Sequence, residues 1–114
     1  MTDDAGSIHS RKKGAAELLV LAQLEAQPCH GYEIARRIGE RSGGVVSFKV
    51  TSLYPILHKL EERRLISGRW IEKGGRRRRH YRLTEKGRKA LANERRDWND
   101  FMSAVETASG PEYA

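Results

Sequence analysis

The 114-residue sequence predicts a mainly α, α+β fold: three short helices, a two-stranded hairpin and one long helix. Three observations lead there. Apolar residues recur at helical spacing in four segments, and a Gly74-Gly75 pair separates two β-prone runs. Thr84 stands as a cap before a long run of helix formers. A three-helix helix-turn-helix core with a two-stranded β wing and a long C-terminal helix is an α+β winged helix. Hydrophobic residues make up 38% of the chain and charged residues 32%, so each element must keep its few apolar side chains on one face. Pairing in a homodimer would bury more apolar surface.

Residues 1–14 are mostly polar around Ile8 and are expected to form a flexible arm. Residues 15–27 read as the first helix, with Leu18, Leu21, Ala22 and Leu24 on its apolar side and Pro28 stopping it. The second helix, 32–41, turns Tyr32, Ile34, Ala35 and Ile38 inward and ends at Ser42-Gly43-Gly44. Residues 45–50 are β-prone but short, an extended connector or a small strand. Thr51 and Ser52 are expected to cap a third helix reaching about Arg64, with Leu53, Ile56, Leu57 and Leu60 as its stripe. Pro55 is tolerated only in a first turn, so this helix cannot start much before Val50. Residues 67–83 form the wing, the first strand carrying Trp70 and the second His80-Tyr81-Arg82-Leu83. The last helix runs from 85 to about 107, and Gly110-Pro111 ends it ahead of a flexible tail, 109–114. One domain results: a compact unit over 15–84 and a long helix over 85–108.

Charge gives the first functional indication. The net charge is +7, and between Arg63 and Lys89 twelve Lys and Arg stand against Glu72 and Glu85. Four adjacent arginines, Arg76 to Arg79, put charge on both faces of one strand, a repulsion that a polyanion relieves. Alternation sends Arg76 and Arg78 one way and Arg77 and Arg79 the other, so about half reach one DNA surface and the rest can meet acidic side chains. On the third helix, Thr51, Tyr54, Pro55, His58, Lys59 and Glu62 lie away from the apolar stripe. Thr, Tyr, His and Lys can hydrogen-bond phosphates or base edges in a major groove wide enough for a helix.

Other chemistries find little support. Cys29 is the only cysteine, which excludes an intramolecular disulfide and fits a reducing compartment. His9, His30, His58 and His80 lack metal-ligand spacing, so no metal and no cofactor are expected. No phosphate-binding loop, nucleophile elbow or paired-carboxylate arrangement appears, and an enzyme is not expected. With no signal-peptide-like or membrane-spanning apolar run, the expected location is cytoplasmic, without a membrane partner.

Three ordered motifs carry a resemblance: His30-Gly31-Tyr32-Glu33-Ile34, Ser52-Leu53-Tyr54-Pro55-Ile56-Leu57-His58-Lys59-Leu60-Glu61, and Arg79-His80-Tyr81-Arg82-Leu83-Thr84-Glu85-Lys86-Gly87. Over roughly Glu17 to Leu91 the chain resembles the PadR family of bacterial transcriptional regulators. The resemblance implies a third helix in the major groove, a wing on the DNA backbone, a C-terminal helix making a homodimer, and repression of a palindromic operator. It places Ser52, Tyr54, His58 and Lys59 on the recognition helix and Arg76, Arg77, Arg78, Arg79 and His80 on the wing; Lys49 and Thr51 complete the expected contacts with double-stranded DNA. Two departures stand out: Lys49-Val50-Thr51 replaces a more usual Pro-Gly, and Arg64 stands where a glycine often ends the helix.

Independently of the resemblance, Leu91, Trp98 and Val105 recur every seven residues with Phe101 and Met102 beside them, a stripe suited to a two-fold partner. Trp98, Phe101 and Met102 either pack that interface or line a gap for a small planar aromatic effector. Two other readings remain open: a winged-helix regulator of another lineage, and a basic RNA- or protein-interaction module.

Overall fold

The computed structural model describes residues 8–112, with side chains placed from Gly14 onward. Four helices, α1 (Ile8–Gln23), α2 (Gly31–Arg41), α3 (Val50–Glu62) and α4 (Glu85–Ser109), surround an antiparallel sheet of β1 (Cys29–His30), β2 (Ile66–Lys73) and β3 (Arg76–Leu83) in the order β1-β3-β2. The wing is thus a three-stranded sheet, one strand more than the sequence predicts. β1 has only two residues, and it exists because Cys29 and His30 pair with Tyr81 and His80.

The first helix also departs from expectation. It begins at Ile8, so residues 8–14 of the expected arm are helical, while residues 1–7 lie outside the described part. Gly14 comes close to α4: a Cβ there would lie 3.7 Å from Glu94 Oε2. α1 and α4 thus pack against each other at this point. At its other end α1 stops at Gln23, earlier than Pro28 requires.

The core draws on every element: Val20, Leu21 and Leu24 from α1, Ile34 and Ile38 from α2, Leu53, Leu57 and Leu60 from α3, Ile66, Tyr81 and Leu83 from the sheet, and Leu91 from α4. Gln23 is the only buried polar side chain among the described residues. Its Nε2 donates to Leu19 O at 2.9 Å and its Oε1 accepts from Arg41 Nη1 at 2.9 Å, satisfying the group and tying α1 to α2.

Residues 45–49 form no strand, and α3 starts at Val50 with Lys49 as its N-cap, which makes no side-chain capping bond. Thr51 and Ser52 therefore lie in the first turn instead of capping it, and Pro55, the sixth residue of α3, lies past that turn rather than in it, so the helix forgoes the bond its N–H would make to Thr51 O.

The end of α3 explains the Arg64 departure. Leu65 N donates to Leu60 O at 3.0 Å and Arg64 N to Glu61 O at 2.9 Å, the paired bonds of a Schellman close. Buried Leu60 and Leu65 supply its apolar contact, and the close puts Arg64 at φ 61°. A Cβ is disfavoured there by about 1 kcal/mol. Arg64→Gly is expected to raise stability by about 0.5–1 kcal/mol after the cost of glycine's unfolded-state entropy, measured by urea denaturation; a loss of stability would refute the strain.

The remaining boundaries follow local chemistry. Gly74 (φ 59°) and Gly75 (φ 75°) both take the left-handed region, as a two-residue hairpin turn between right-twisted strands requires. Thr84 Oγ1 accepts from Gly87 N at 3.0 Å and caps α4. α4 leaves the core after Leu91 and gives the molecule an elongated outline of 66 × 30 × 26 Å.

Candidate nucleic-acid interface

The stripe Leu53, Leu57 and Leu60 seats α3 on the core, which leaves the opposite side of the helix outward. Thr51, Ser52, Tyr54, His58 and Lys59 are all exposed, as is Lys49 just before the helix. Further along, α3 becomes acidic with Glu61 and Glu62, and His58 Nε2 lies 3.8 Å from Glu62 Oε2. The surface of α3 suited to an anionic partner therefore runs from its N-terminus as far as Lys59, ahead of Glu61 and Glu62.

The wing arginines divide by strand pairing. One face carries Lys73 opposite Arg76, Ile71 opposite Arg78, and Arg69 and His30 on either side of His80; the other carries Glu72 opposite Arg77, Trp70 opposite Arg79, and Gly68 opposite Tyr81. Arg77 and Arg79 hold their guanidinium carbons 4.8 and 5.6 Å from the Trp70 ring centroid. Arg79 also ion-pairs with Glu61 on α3 and lies over Gly68, where a Cβ would come 2.6 Å from its Nε. Its guanidinium joins wing to α3 and neutralises the carboxylate nearest the wing. Arg76 and Arg77 remain exposed.

His30 is a site residue that sequence reasoning missed. It is the N-cap of α2, its Nδ1 accepting from Glu33 N at 3.2 Å, and it is also half of β1. Its Nε2 lies 3.0 Å from Arg78 Nη1, and its ring meets His80 edge-on at 5.4 Å. Partial burial, then the neighbouring Arg78 and His80 charges, hold its pKa below the usual histidine value. A histidine so depressed binds protons more readily when unfolded, so stability is full above about pH 6.5 and falls as pH drops from there toward the folded-state pKa. Thermal melts from pH 8 to 5 are expected to show this loss, and His30→Asn, which keeps a capping oxygen, should flatten it; identical slopes in both proteins would contradict the assignment.

Tyr32, expected inside, is 63% exposed. α2 buries Gly31, Ile34 and Ile38, and Tyr32 stands about 100° round the helix from that row. With Tyr54 (53%) and Trp70 (54%) it makes three large exposed aromatics. All three line one cleft of about 460 Å³ between the starts of α2 and α3 and the wing, together with His30, Arg77 and Arg79. Trp70 was legible as prominent on its strand, but its part in a cleft depends on pairing across the hairpin.

Cys29 is buried, and burial pushes its thiol pKa up, which makes it a poor nucleophile. Among the described residues no group of three or more His, Cys, Asp or Glu is placed to hold a metal ion, and no helix is long and apolar enough to cross a membrane.

Along α4, Leu91 corrects the predicted stripe: it is 2% exposed and belongs to the core of its own chain. The outward part begins later. Trp98 and Phe101 are half-buried with ring centroids 5.7 Å apart, and Met102 and Val105 are exposed.

The family model described as the transcriptional regulator PadR-like family matches residues 20–93, which hold the core, α2, α3, the wing and the start of α4. The chain belongs to the PadR-like family. A PadR family transcription regulator from Clostridium difficile superposes with a TM-score of 0.73 at 28% identity, over 83% of this chain and 98% of that one. One from Eggerthella lenta gives a TM-score of 0.77 at 25% identity, over 92% and 89%. Bacillus subtilis PadR in complex with operator DNA gives 0.64 at 28% identity, over 69% of this chain and 45% of that one. In sequence, an uncharacterized protein of Lysinibacillus sphaericus is 24% identical over 96 residues, 82% of this chain and 87% of that one. PadR-like proteins are transcriptional regulators, and the winged-helix fold predicted from the sequence is the fold of these relatives.

Proposed function

We propose that this PadR-like regulator binds double-stranded DNA as a homodimer and represses transcription by occupying a palindromic operator. The observation that carries the reading is the single cleft on which Tyr54 at the start of α3, the outward Tyr32 and Trp70, and the wing residues Arg77, Arg78 and Arg79 converge. The Bacillus subtilis relative solved with operator DNA lends it support. Lys49, Thr51, Ser52, Tyr54, His58 and Lys59 supply the sequence-reading surface, and Arg76, Arg77 and Arg78, with His80, supply backbone affinity. Arg79 contributes by holding the wing to α3 and screening Glu61. Two α4 helices pair through Trp98, Phe101, Met102 and Val105, setting half-sites roughly 34–36 Å apart. The tilted Trp98–Phe101 pair, at 43° between planes, is where a small planar aromatic effector would enter; a change in Trp fluorescence on adding planar aromatic compounds tests this.

The deciding experiment is a fluorescence-anisotropy titration against the duplex upstream of the protein's own gene and against random duplex, each at two salt concentrations. Saturable preference for the upstream duplex is the expected result; equal, weak binding that salt abolishes would refute specific regulation at that site. Arg76→Gln should weaken binding to both and lower the salt slope by about one unit. Lys59→Ala should cost about 1–3 kcal/mol on the preferred duplex only; an equal loss on both sequences would remove Lys59 from base reading.

A further inference from the structure

A neutral His30 ring accepts through only one nitrogen, yet a donor reaches each of them, Glu33 N at Nδ1 and Arg78 Nη1 at Nε2. One donor is left over whichever tautomer forms, and the cap on α2 favours the tautomer with Nδ1 accepting. In that tautomer Nδ1 carries the lone pair and the neutral ring carries its proton on Nε2. Nε2 is therefore a donor. The group 3.0 Å from it is the Arg78 guanidinium, which has donors only. Two N–H groups thus face each other with no acceptor among the side chains between them, an arrangement that protein partners alone leave unsatisfied.

The surroundings repeat the pattern. His30 and Arg78 share a cavity of about 340 Å³ with Ile71, Lys73, Arg76 and His80, and no acidic side chain among the described residues lines it. Arg76, Arg78, Lys73 and the two histidines come from β1, β2 and β3; the nearest carboxylate on α2, Glu33, is engaged by Arg36. His30 and Arg78 also line the aromatic cleft, so the cavity continues that surface around the edge of the sheet.

We propose that this cavity is a built site for one phosphate of the DNA backbone, with a phosphate oxygen accepting from both His30 Nε2–H and Arg78 Nη1–H while Lys73 and Arg76 supply charge. It rests on the DNA-binding reading and adds to it a contact made from the edge strand β1 rather than from the recognition helix. A phosphate is the acceptor that fits: it is anionic, offers several oxygens to converging donors, and gains from charge-assisted bonds to a guanidinium. The site explains why a residue placed to cap a helix also faces an arginine.

The test uses the full chain and a random-sequence duplex of about 24 base pairs, because a backbone contact is indifferent to sequence. Arg78→Gln is expected to weaken binding 5- to 10-fold and lower the salt slope by about 0.9. His30→Asn keeps an oxygen to cap α2 but shortens the donor, and is expected to weaken binding 3- to 10-fold. The two losses should not add: in the Arg78→Gln background, His30→Asn should cost less than 2-fold, since both groups serve one phosphate. Unchanged thermal melts at pH 7.5 exclude a folding effect. In histidine-ring 15N spectra, His30 Nε2 should carry the proton in the free protein and shift when duplex is added.

The outcomes separate the two levels of the claim. No binding of duplex by the wild-type protein overturns the DNA-binding reading itself. Binding that is the same in wild type and both variants, or variant losses that add fully, leaves that reading in place and overturns the phosphate site. A His30 shift with inorganic phosphate but none with duplex makes this a site for free phosphate and overturns its assignment to DNA.

Discussion

Replacing Gly87 by alanine is expected to destabilise the domain by about 3 kcal/mol or more, a large share of the roughly 5–15 kcal/mol that holds a domain together. A Cβ at Gly87 would stand 1.9 Å from Leu65 O, 2.9 Å from Leu65 C and 3.1 Å from Leu83 Cδ2. The first two are backbone atoms, so no rotamer change relieves the contact, and the cost passes the upper end of ordinary overpacking. Nor can Leu65 O retreat freely. It accepts from Thr84 N at 3.1 Å, the adjacent Arg64 O accepts from Thr84 Oγ1 at 2.7 Å, and Leu65 N makes the Schellman bond that ends α3. Moving it would break the joint between α3, the wing and α4, where Lys86 Nζ also donates to Arg63 O at 3.1 Å. Urea denaturation of Gly87→Ala checks this; a variant within 1 kcal/mol of wild type would show that α4 docks more loosely than these distances require.

The second large effect is on assembly. The double substitution Met102→Asp and Val105→Asp is expected to give single chains by sedimentation and to lower affinity for a two-half-site duplex by about 10²–10⁴-fold, the usual gain from linking two binding events. Both side chains are 38% exposed and lie beyond the last buried residue of α4, so their loss costs the chain's own core nothing. Thermal stability of the single chain should barely move, which separates this result from that at Gly87. A variant that still pairs would place the interface elsewhere, with α1 as the first surface to test.

What the sequence disclosed, and what it hid, follows from how far each signal reaches along the chain. The Thr84 cap, the Gly74-Gly75 turn and the limit set by Pro55 are local chemistry, and all three elements lie close to where these residues put them. The alternation of the wing arginines is also local, and the acidic partner expected for some of them is Glu61. β1 was invisible because two residues have no period; only pairing with a strand fifty residues later makes Cys29 and His30 a strand. The same pairing hid His30 as a site residue. Tyr32 misled because a large aromatic two residues before Ile34 reads as part of the apolar face, whereas the single buried row of this otherwise charged helix is Gly31, Ile34 and Ile38, and Tyr32 stands outside it. Leu91 misled differently: the seven-residue repeat is real, but its first member falls where α4 still touches the core and the later ones where it does not.

That overhang has a thermodynamic consequence. From Met102 to the end of α4 every residue is exposed, and a helical stretch shorter than about 12–15 residues is marginal in water without packing. The final turns therefore draw their order from the body of the helix behind them and from whatever lies against them. If a second copy is what lies there, the helical length of each chain becomes a function of protein concentration: dilution frays the tip and association winds it back. Part of the binding energy is then spent on winding, leaving the pairing weaker than its area suggests and sensitive to anything that orders or frays those turns.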